Sequence, residues 1–420
     1  MCKEIRPRLL AVIGSAGAVF AAPSDAADWH WDPSLSVGGI YNDNFELTRS
    51  DKTSVAGTQV EGALQIRALT PVSEFKVTPR VFFQWFPSDH DQDVDDEYLS
   101  ADYIYHGQRW VGDLNAWFAR QSVLSSELPN TEVPPGGLGT TPGTDTGFVN
   151  VESRRYDARI TPSATFQLSQ RFKLQVNAAF EDVNYEPKHV NSYTDFRSYS
   201  ALVGLGYDVT PRSTLYVNAV GLRYEPDTTP NQDSNSYGVR AEWWYRTSQN
   251  LQAYLRAGLD RTQDVVVTTT TTSTRERTNN NVYGGGLTGL YQVTAFYLDL
   301  SRAVVPSGSG GLITRDQLQL RVRRSFSPRY AAFLQAYGTD DSGAQTGFEF
   351  LNRKYAVGST GLEWRFTREF TLRGQYSYRW QKYGGAPGGA NSNEFVLSLV
   401  YEPHRPANDL TLGYFMPAQY

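Results

Sequence analysis

Charged side chains recur at every second position along much of this chain. Arg155, Asp157 and Arg159 alternate with Tyr156, Ala158 and Ile160. The same parity, opposite to the apolar residues, holds for Arg67, Arg80, Arg240, Arg256, Arg321, Arg323, Arg365, Arg373 and Arg379, and for Asp113 and Glu242. Rows of guanidinium and carboxylate groups can line a selective path for polar or anionic solutes. Alternatively, they can pair across neighbouring strands and stiffen a wall. In a dry core they would be prohibitively costly, so water is expected to reach them. Trp117, Trp244, Tyr254 and Tyr297 share that parity. They could stack on sugar rings or only narrow the space they face.

Other candidate chemistry is weaker. The segment Asp89, Asp91, Asp93, Asp95, Asp96, Glu97 starts like a calcium loop, but Val94 stands where the sharp-turn glycine belongs and Ser100 where the bidentate glutamate belongs. It reads as a solvated acidic loop, with weak divalent binding between loops left open. Pro306 to Gly311 is glycine-rich, yet no Gly-Lys-Ser/Thr follows, so it is no phosphate cradle. Gly284 to Gly286 interrupts a strand and would admit another backbone, with the long loop Ser122–Asn150 as one candidate. The five histidines, His30, His90, His106, His189 and His404, fall at ends, turns or loops. No catalytic pair can be assembled from them, and neither an enzyme nor a cofactor is expected.

The elements that must position the charged rows are long strands. From Ser153 to Gln167 and from Phe172 to Tyr185 polar and apolar residues alternate strictly around the short connection Ser169–Arg171. Alternation puts the two sets on opposite faces of a strand. Each arm matches the roughly 9–11 tilted residues that cross a bilayer. The pattern recurs with turns at Thr70–Ser73, His106–Arg109, Thr210–Arg212, Ser248–Asn250, Gln292, Ser327–Arg329 and Thr367–Glu369. A first short strand is expected at Ser34–Tyr41, and a last clear one around Phe395–Tyr401. The threonine tract Thr268–Thr272 should extend a strand beyond the membrane, because β-branched residues favour extended backbone.

Short connections alternate with long polar ones, and aromatic residues gather at both strand ends. These features predict an all-β chain folded as one transmembrane antiparallel up-and-down barrel of about 18 strands (16–18), with short periplasmic turns and long outer loops. A string of soluble β-sandwiches also alternates, but it would not combine such strand lengths with such connections. Barrels of 16–18 strands leave an aqueous channel.

No later stretch approaches the ~18 apolar residues of a membrane helix. The start does carry Lys3, Arg6 and Arg8, the apolar run Leu9–Ala22, and small residues around Ser24 and Ala26. That is a Sec-type secretory signal over residues 1–27, cleaved after Ala26, Ala27 or Ala21. Residues 28–402 are then the barrel, and 403–420 a tail or one more strand through Leu410, Leu412 and Tyr414. The single cysteine, Cys2, lies within the signal, so no disulfide framework is available to the rest. A net charge of -5 argues against nucleic acid.

Tyr41-Asn42-Asp43-Asn44-Phe45-Glu46-Leu47-Thr48, and Ser301-Arg302 with Pro306-Ser307-Gly308-Ser309-Gly310-Gly311, resemble segments of the β-barrel porin 2 family, which includes EpsL-like proteins associated with exopolysaccharide. The resemblance implies a barrel in outer-membrane lipid that passes a nascent polysaccharide chain, with a periplasmic polysaccharide-export protein at its inner entrance. It supplies no site residues. The expected function is a passive hydrated conduit in the outer membrane of a Gram-negative cell, for an extracellular polysaccharide. A general small-solute porin and a surface-structural or adhesive barrel are the alternatives.

Overall fold

A computed structural model describes residues 27–126, 153–186, 193–227, 233–248, 250–269, 272–343, 352–384 and 387–403; from 264 to 276 only the backbone is described. Residues 1–26 of the expected signal, most of the loop Ser122–Asn150 and the tail after residue 403 lie outside these residues. Eighteen strands form a single sheet that closes on itself.

In chain order the strands begin with β1 (Asp28–Asn42), β2 (Val55–Leu69), β3 (Ser73–Trp85), β4 (Val94–His106), β5 (Trp110–Ser122) and β6 (Arg154–Gln167). Then come β7 (Phe172–Glu186), β8 (Phe196–Thr210), β9 (Ser213–Pro226), β10 (Ser234–Ser248), β11 (Leu251–Thr269) and β12 (Thr272–Tyr291). The last six are β13 (Thr294–Pro306), β14 (Leu312–Ser325), β15 (Tyr330–Gly343), β16 (Arg353–Arg365), β17 (Phe370–Tyr383) and β18 (Ala390–Tyr401). Each pairs antiparallel with its sequence neighbours, and β1 closes the ring against β18 from Leu35↔Tyr401 to Asn42↔Glu394. With strands about 4.8 Å apart and tilted about 40°, eighteen of them set a backbone radius of about 18 Å.

The short turns share a cause. Thr70, Ser169, Ser327 and Thr367 open their turns, and each hydroxyl accepts the backbone N–H groups two and three residues on. A Ser or Thr hydroxyl thereby stands in for backbone partners lost where the ladder ends. Gln292 takes φ 53° in the turn from β12 to β13.

Polarity is inverted relative to a soluble protein. The outer face exposes Val203, Leu205, Val217, Val239, Leu255, Leu334, Leu362 and Leu397. Aromatics edge this belt: Trp110 stacks with Phe166 and Phe366 with Phe370 at the short-turn end, while Phe180–Tyr199 and Tyr376–Phe395 lie toward the other. Above it, at the long-loop end, outward charges pair with one another: Asp182–Arg197 at 3.3 Å, Arg302–Asp316 at 2.7 Å and Asp340–Lys354 at 2.8 Å. An apolar band between aromatic and charged borders is the surface of a transmembrane barrel.

Three expectations need correction. The first strand is not short: it begins at Asp28 and runs fifteen residues. Its first part, which includes Pro33, is registered with β2 and lies outside the span paired with β18. The acidic loop ends at Asp93, because Val94 already opens β4 and puts Asp95, Asp96 and Glu97 in the ladder with β3. Finally, the connections at one end are not all long. β11 and β12 extend as a hairpin paired through Val267↔Ser273, in keeping with the threonine tract, and β13 joins β14 through Ser307–Gly311 alone.

A charged inner wall and a folded-in mouth as the candidate functional site

The arginines of the alternating rows, with Asp113, Asp157 and Glu242, fall on the inner face, as do Trp117, Trp244, Tyr254 and Tyr297. They are held in rows that cross from strand to strand. Arg80 pairs with Glu61 at 3.2 Å and lies over the Tyr98 ring at 4.0 Å. Arg67 meets Asp32 at 3.0 Å. Arg159 reaches Glu181 at 2.6 Å, and Arg155 lies between Asp157 and Glu181 at 3.3 and 3.6 Å. Arg240 pairs with Asp260 at 2.6 Å. Arg323 and Arg373 share Glu363 at 2.5 and 3.0 Å, and Arg379 pairs with Glu394. With its amide turned over, Gln319 accepts from Arg321 through its side-chain oxygen at 2.7 Å. Glu242 accepts from Asn218, which also accepts from Gln175.

Cross-strand pairing, the plainer of the two expectations, therefore accounts for most of these groups. Asp113 and Arg256 make no ion pair with any described residue; Arg256 lies over the Tyr254 ring at 5.7 Å. Trp244 stacks on Tyr254 at 4.8 Å, and Trp117 tilts against Tyr98 at 5.7 Å. His30 and His90 sit beside Asp28 and Asp93, each at 3.1 Å, at opposite ends of the barrel.

Inward glycines let these long side chains lie flat. A Cβ on Gly286 would meet the Tyr254 ring, and one on Gly284 the Arg256 guanidinium. Tyr254 passes over Gly286 to donate to Asp299 on β13. Side chains of β11 thus lie over Gly284 and Gly286; the part of the loop Ser122–Asn150 expected to approach them lies outside the described residues. The same device recurs at Gly204, over which Gln175 Nε2 donates to Asn218 Oδ1 at 2.6 Å.

At the long-loop end three connections and one short helix bend inward. The polar loop after β1 buries Phe45 and Leu47, each 2% exposed. Phe45 meets Phe86 edge-on at 5.0 Å, in a cluster with Ile40, Val55, Val94 and Leu124. Leu47 packs with Tyr355, Val357 and Ala390, and Gln381 donates to its carbonyl. Asn44 ties the loop to β18 through the Asn391 carbonyl at 2.8 Å. In the β3–β4 connection, Gln92 donates to Glu46 at 2.6 Å.

Helix α1 (Val123–Ser126) places Leu124 in that cluster and Val123 in another, with Val183, Tyr185, Phe196, Tyr224, Val304 and Leu312. The Ser307–Gly311 connection reaches back to β8 and β9. The Tyr224 hydroxyl donates to the Ser307 carbonyl and the Thr194 N–H to the Gly308 carbonyl, both at 2.8 Å. Gly310 has φ 91°, a conformation that side chains resist.

The mouth residues escaped the sequence reading because alternation is silent about loops. Two signals were present: Phe45 and Leu47 are isolated apolar residues in an otherwise polar loop, and the glycine-rich Ser307–Gly311 permits a sharp inward return. The chemistry of the whole arrangement is that of a selective surface. A wall of ordered charges and amides can exchange hydrogen bonds with a passing solute.

No family model and no curated protein matches the chain. Solved structures of similar architecture include OccK2 (OpdF) of Pseudomonas aeruginosa in complex with glucuronate, at 11% identity and TM-score 0.42, covering 90% of this chain and 98% of that one. The outer membrane channel DcaP of Acinetobacter baumannii is 12% identical at TM-score 0.40, again over 90% and 98%. The siderophore receptor PirA of Pseudomonas aeruginosa is 11% identical at TM-score 0.42, over 89% and 80%. At such values none of them assigns a function or a solute to this chain.

Proposed function

We propose that the chain is an outer-membrane conduit with a hydrated lumen, and that its cargo is an extracellular polysaccharide leaving the cell. The inversion of polarity carries this reading. An apolar belt around the outside fits lipid, and charged and amide rows on the inside need water or a polar solute beside them. Short turns would face the periplasm, where an export protein would feed in the chain, and the folded-in connections would face outward. The resemblance to the porin 2 family supports the polysaccharide, as do inner amides and hydroxyls able to bond sugar hydroxyls.

A second reading, a diffusion porin for small solutes, is favoured by the loop after β1 and helix α1, which pack against the wall at the long-loop end through Phe45, Phe86 and Leu124. Purified mature protein in planar bilayers should give discrete conductance steps that grow with salt. No current, even after the Ser307–Gly311 connection is shortened, would sink the conduit. Unchanged polysaccharide secretion in a deletion strain would reject export and leave the diffusion porin.

A further inference from the structure

Resting on the membrane placement proposed above, though not on the cargo, we infer that the outer face of β10–β12 at the long-loop end binds the phosphate groups of a glycolipid in the outer leaflet. Outward arginines on other strands of this end are neutralised within the wall: Arg120 by Asp95 at 3.1 Å, Arg197 by Asp182 at 3.3 Å, Arg223 by Glu225 at 2.6 Å and Arg302 by Asp316 at 2.7 Å. Arg261 on β11 and Arg277 on β12 are exposed and make no ion pair with any described residue. Along β10–β12 no outward position with a described side chain holds a carboxylate.

The two arginines are placed to share one anion. Arg261 is registered with Asn279 and Gln263 with Arg277, so the two stems leave the sheet on a diagonal of roughly 7–8 Å, within reach of a single phosphate. Arg261 stands beside Tyr237, whose hydroxyl accepts from Gln263 Nε2 at 2.6 Å. Gln263, Asn279 and Asn281 add amides that suit sugar hydroxyls. Toward mid-membrane the face turns apolar at once, with Leu259 63% exposed and Val239 and Leu255 exposed beside it. At about 3.3 Å per residue and a tilt of about 40°, Arg261 lies about 5 Å and Gln263 about 10 Å beyond Leu259 along the membrane normal. An arginine stem lies along apolar surface while its head stays at the polar border. Guanidinium forks match phosphate oxygens, and basic groups at that border attract anionic headgroups. Acyl chains on Leu255 and Leu259, sugars on the amides and phosphates on the arginines together specify a phosphorylated glycolipid of the lipid A kind.

The test uses the full mature chain in detergent micelles, with bisphosphorylated lipid A and its dephosphorylated form as probes and native mass spectrometry as the readout of bound lipid. Lipid A should bind at least about tenfold tighter than the dephosphorylated form, and the difference should shrink as salt is added. Affinity should fall about tenfold when Arg261→Gln and Arg277→Gln are combined, and by less for the paired Lys substitutions, which keep the charge but lose the fork. Arg197→Gln, which removes an arginine already paired with Asp182, should stay within about twofold of the parent. Equal affinity for the two lipids, or a double variant that binds like the parent, would overturn the site. Displacement by equimolar inorganic phosphate would overturn it too, because acyl chains and sugars would then contribute nothing. Retained lipid A preference in a chain that passes no current would fault the conduit and leave the site standing, whereas normal conductance without that preference would do the reverse.

Discussion

Placing arginine on either side of a single strand tests the facing of the whole barrel. On β7, Val176 points outward and is 38% exposed, whereas its neighbour Asn177 points inward between Ser163 and Leu202. Val176 lies four residues from Phe172 at the short-turn border and six from the outward ion pair of Asp182. At about 3.3 Å per residue and a tilt of about 40°, those separations are about 10 and 15 Å along the membrane normal. Val176→Arg thus buries a guanidinium deep in hydrocarbon and should cost about 2–4 kcal/mol. The folding equilibrium should fall by roughly 30- to 900-fold. Asn177→Arg enters a polar wall and should cost under about 1 kcal/mol. The assay is reversible urea unfolding in lipid vesicles, with both variants compared at unchanged m-value. A neutral Val176→Arg beside a damaging Asn177→Arg would reverse the facing of every strand and empty the lumen argument.

Three further outcomes follow from the mouth and the wall. Phe45→Ala removes a ring packed against Phe86 and should weaken docking of the β1–β2 loop by about 3 kcal/mol, raising conductance and exposing the loop to protease; unchanged cleavage would refute the packing. Tyr224→Phe deletes the 2.8 Å bond to the Ser307 carbonyl and should cost about 1 kcal/mol, seen as added noise in open-channel current; a trace as quiet as the parent's would count against the tie. Gly204→Val puts a Cβ where Asn218 Oδ1 now lies and breaks the Gln175–Asn218 bond. It should lower stability by about 1–3 kcal/mol in urea titration, and no loss would mean the wall adjusts freely.

The fold was legible because strand parity is written directly into side-chain type. Once Tyr156, Ala158 and Ile160 are outward, Arg155, Asp157 and Arg159 must be inward, and the turn hydroxyls of Ser169 and Ser327 fix where the parity restarts. Which arginine pairs with which acid was not legible. Pairing depends on shear between strands, and Arg323 bonds Glu363 two strands away rather than a nearest neighbour. The glycines were half legible: their loss of side chain was evident, but not that Tyr254 would fill the gap. The burial of Phe45 and Leu47 depends on contacts with β3 and β16, far away in sequence, which no local pattern records.

Flat, paired side chains also bear on how such a wall could select. An arginine bonded along the hoop to an acid on the next strand keeps its charge without projecting across the lumen, and its field is largely cancelled at a distance. A passing solute would then feel the sites where pairing is unequal more than the total number of charges. In this barrel Arg323 and Arg373 share Glu363 near the short turns, while the cluster of Phe45, Phe86 and Leu124 lies at the opposite end. Charge and size would be judged at separate places, so substitutions at Arg373 should change ion preference at constant conductance. Substitutions at Phe45 should change conductance at constant ion preference. Reversal potentials measured under a salt gradient on both variants decide the matter, and a Phe45→Ala channel with altered selectivity would mean that a single constriction performs both tasks.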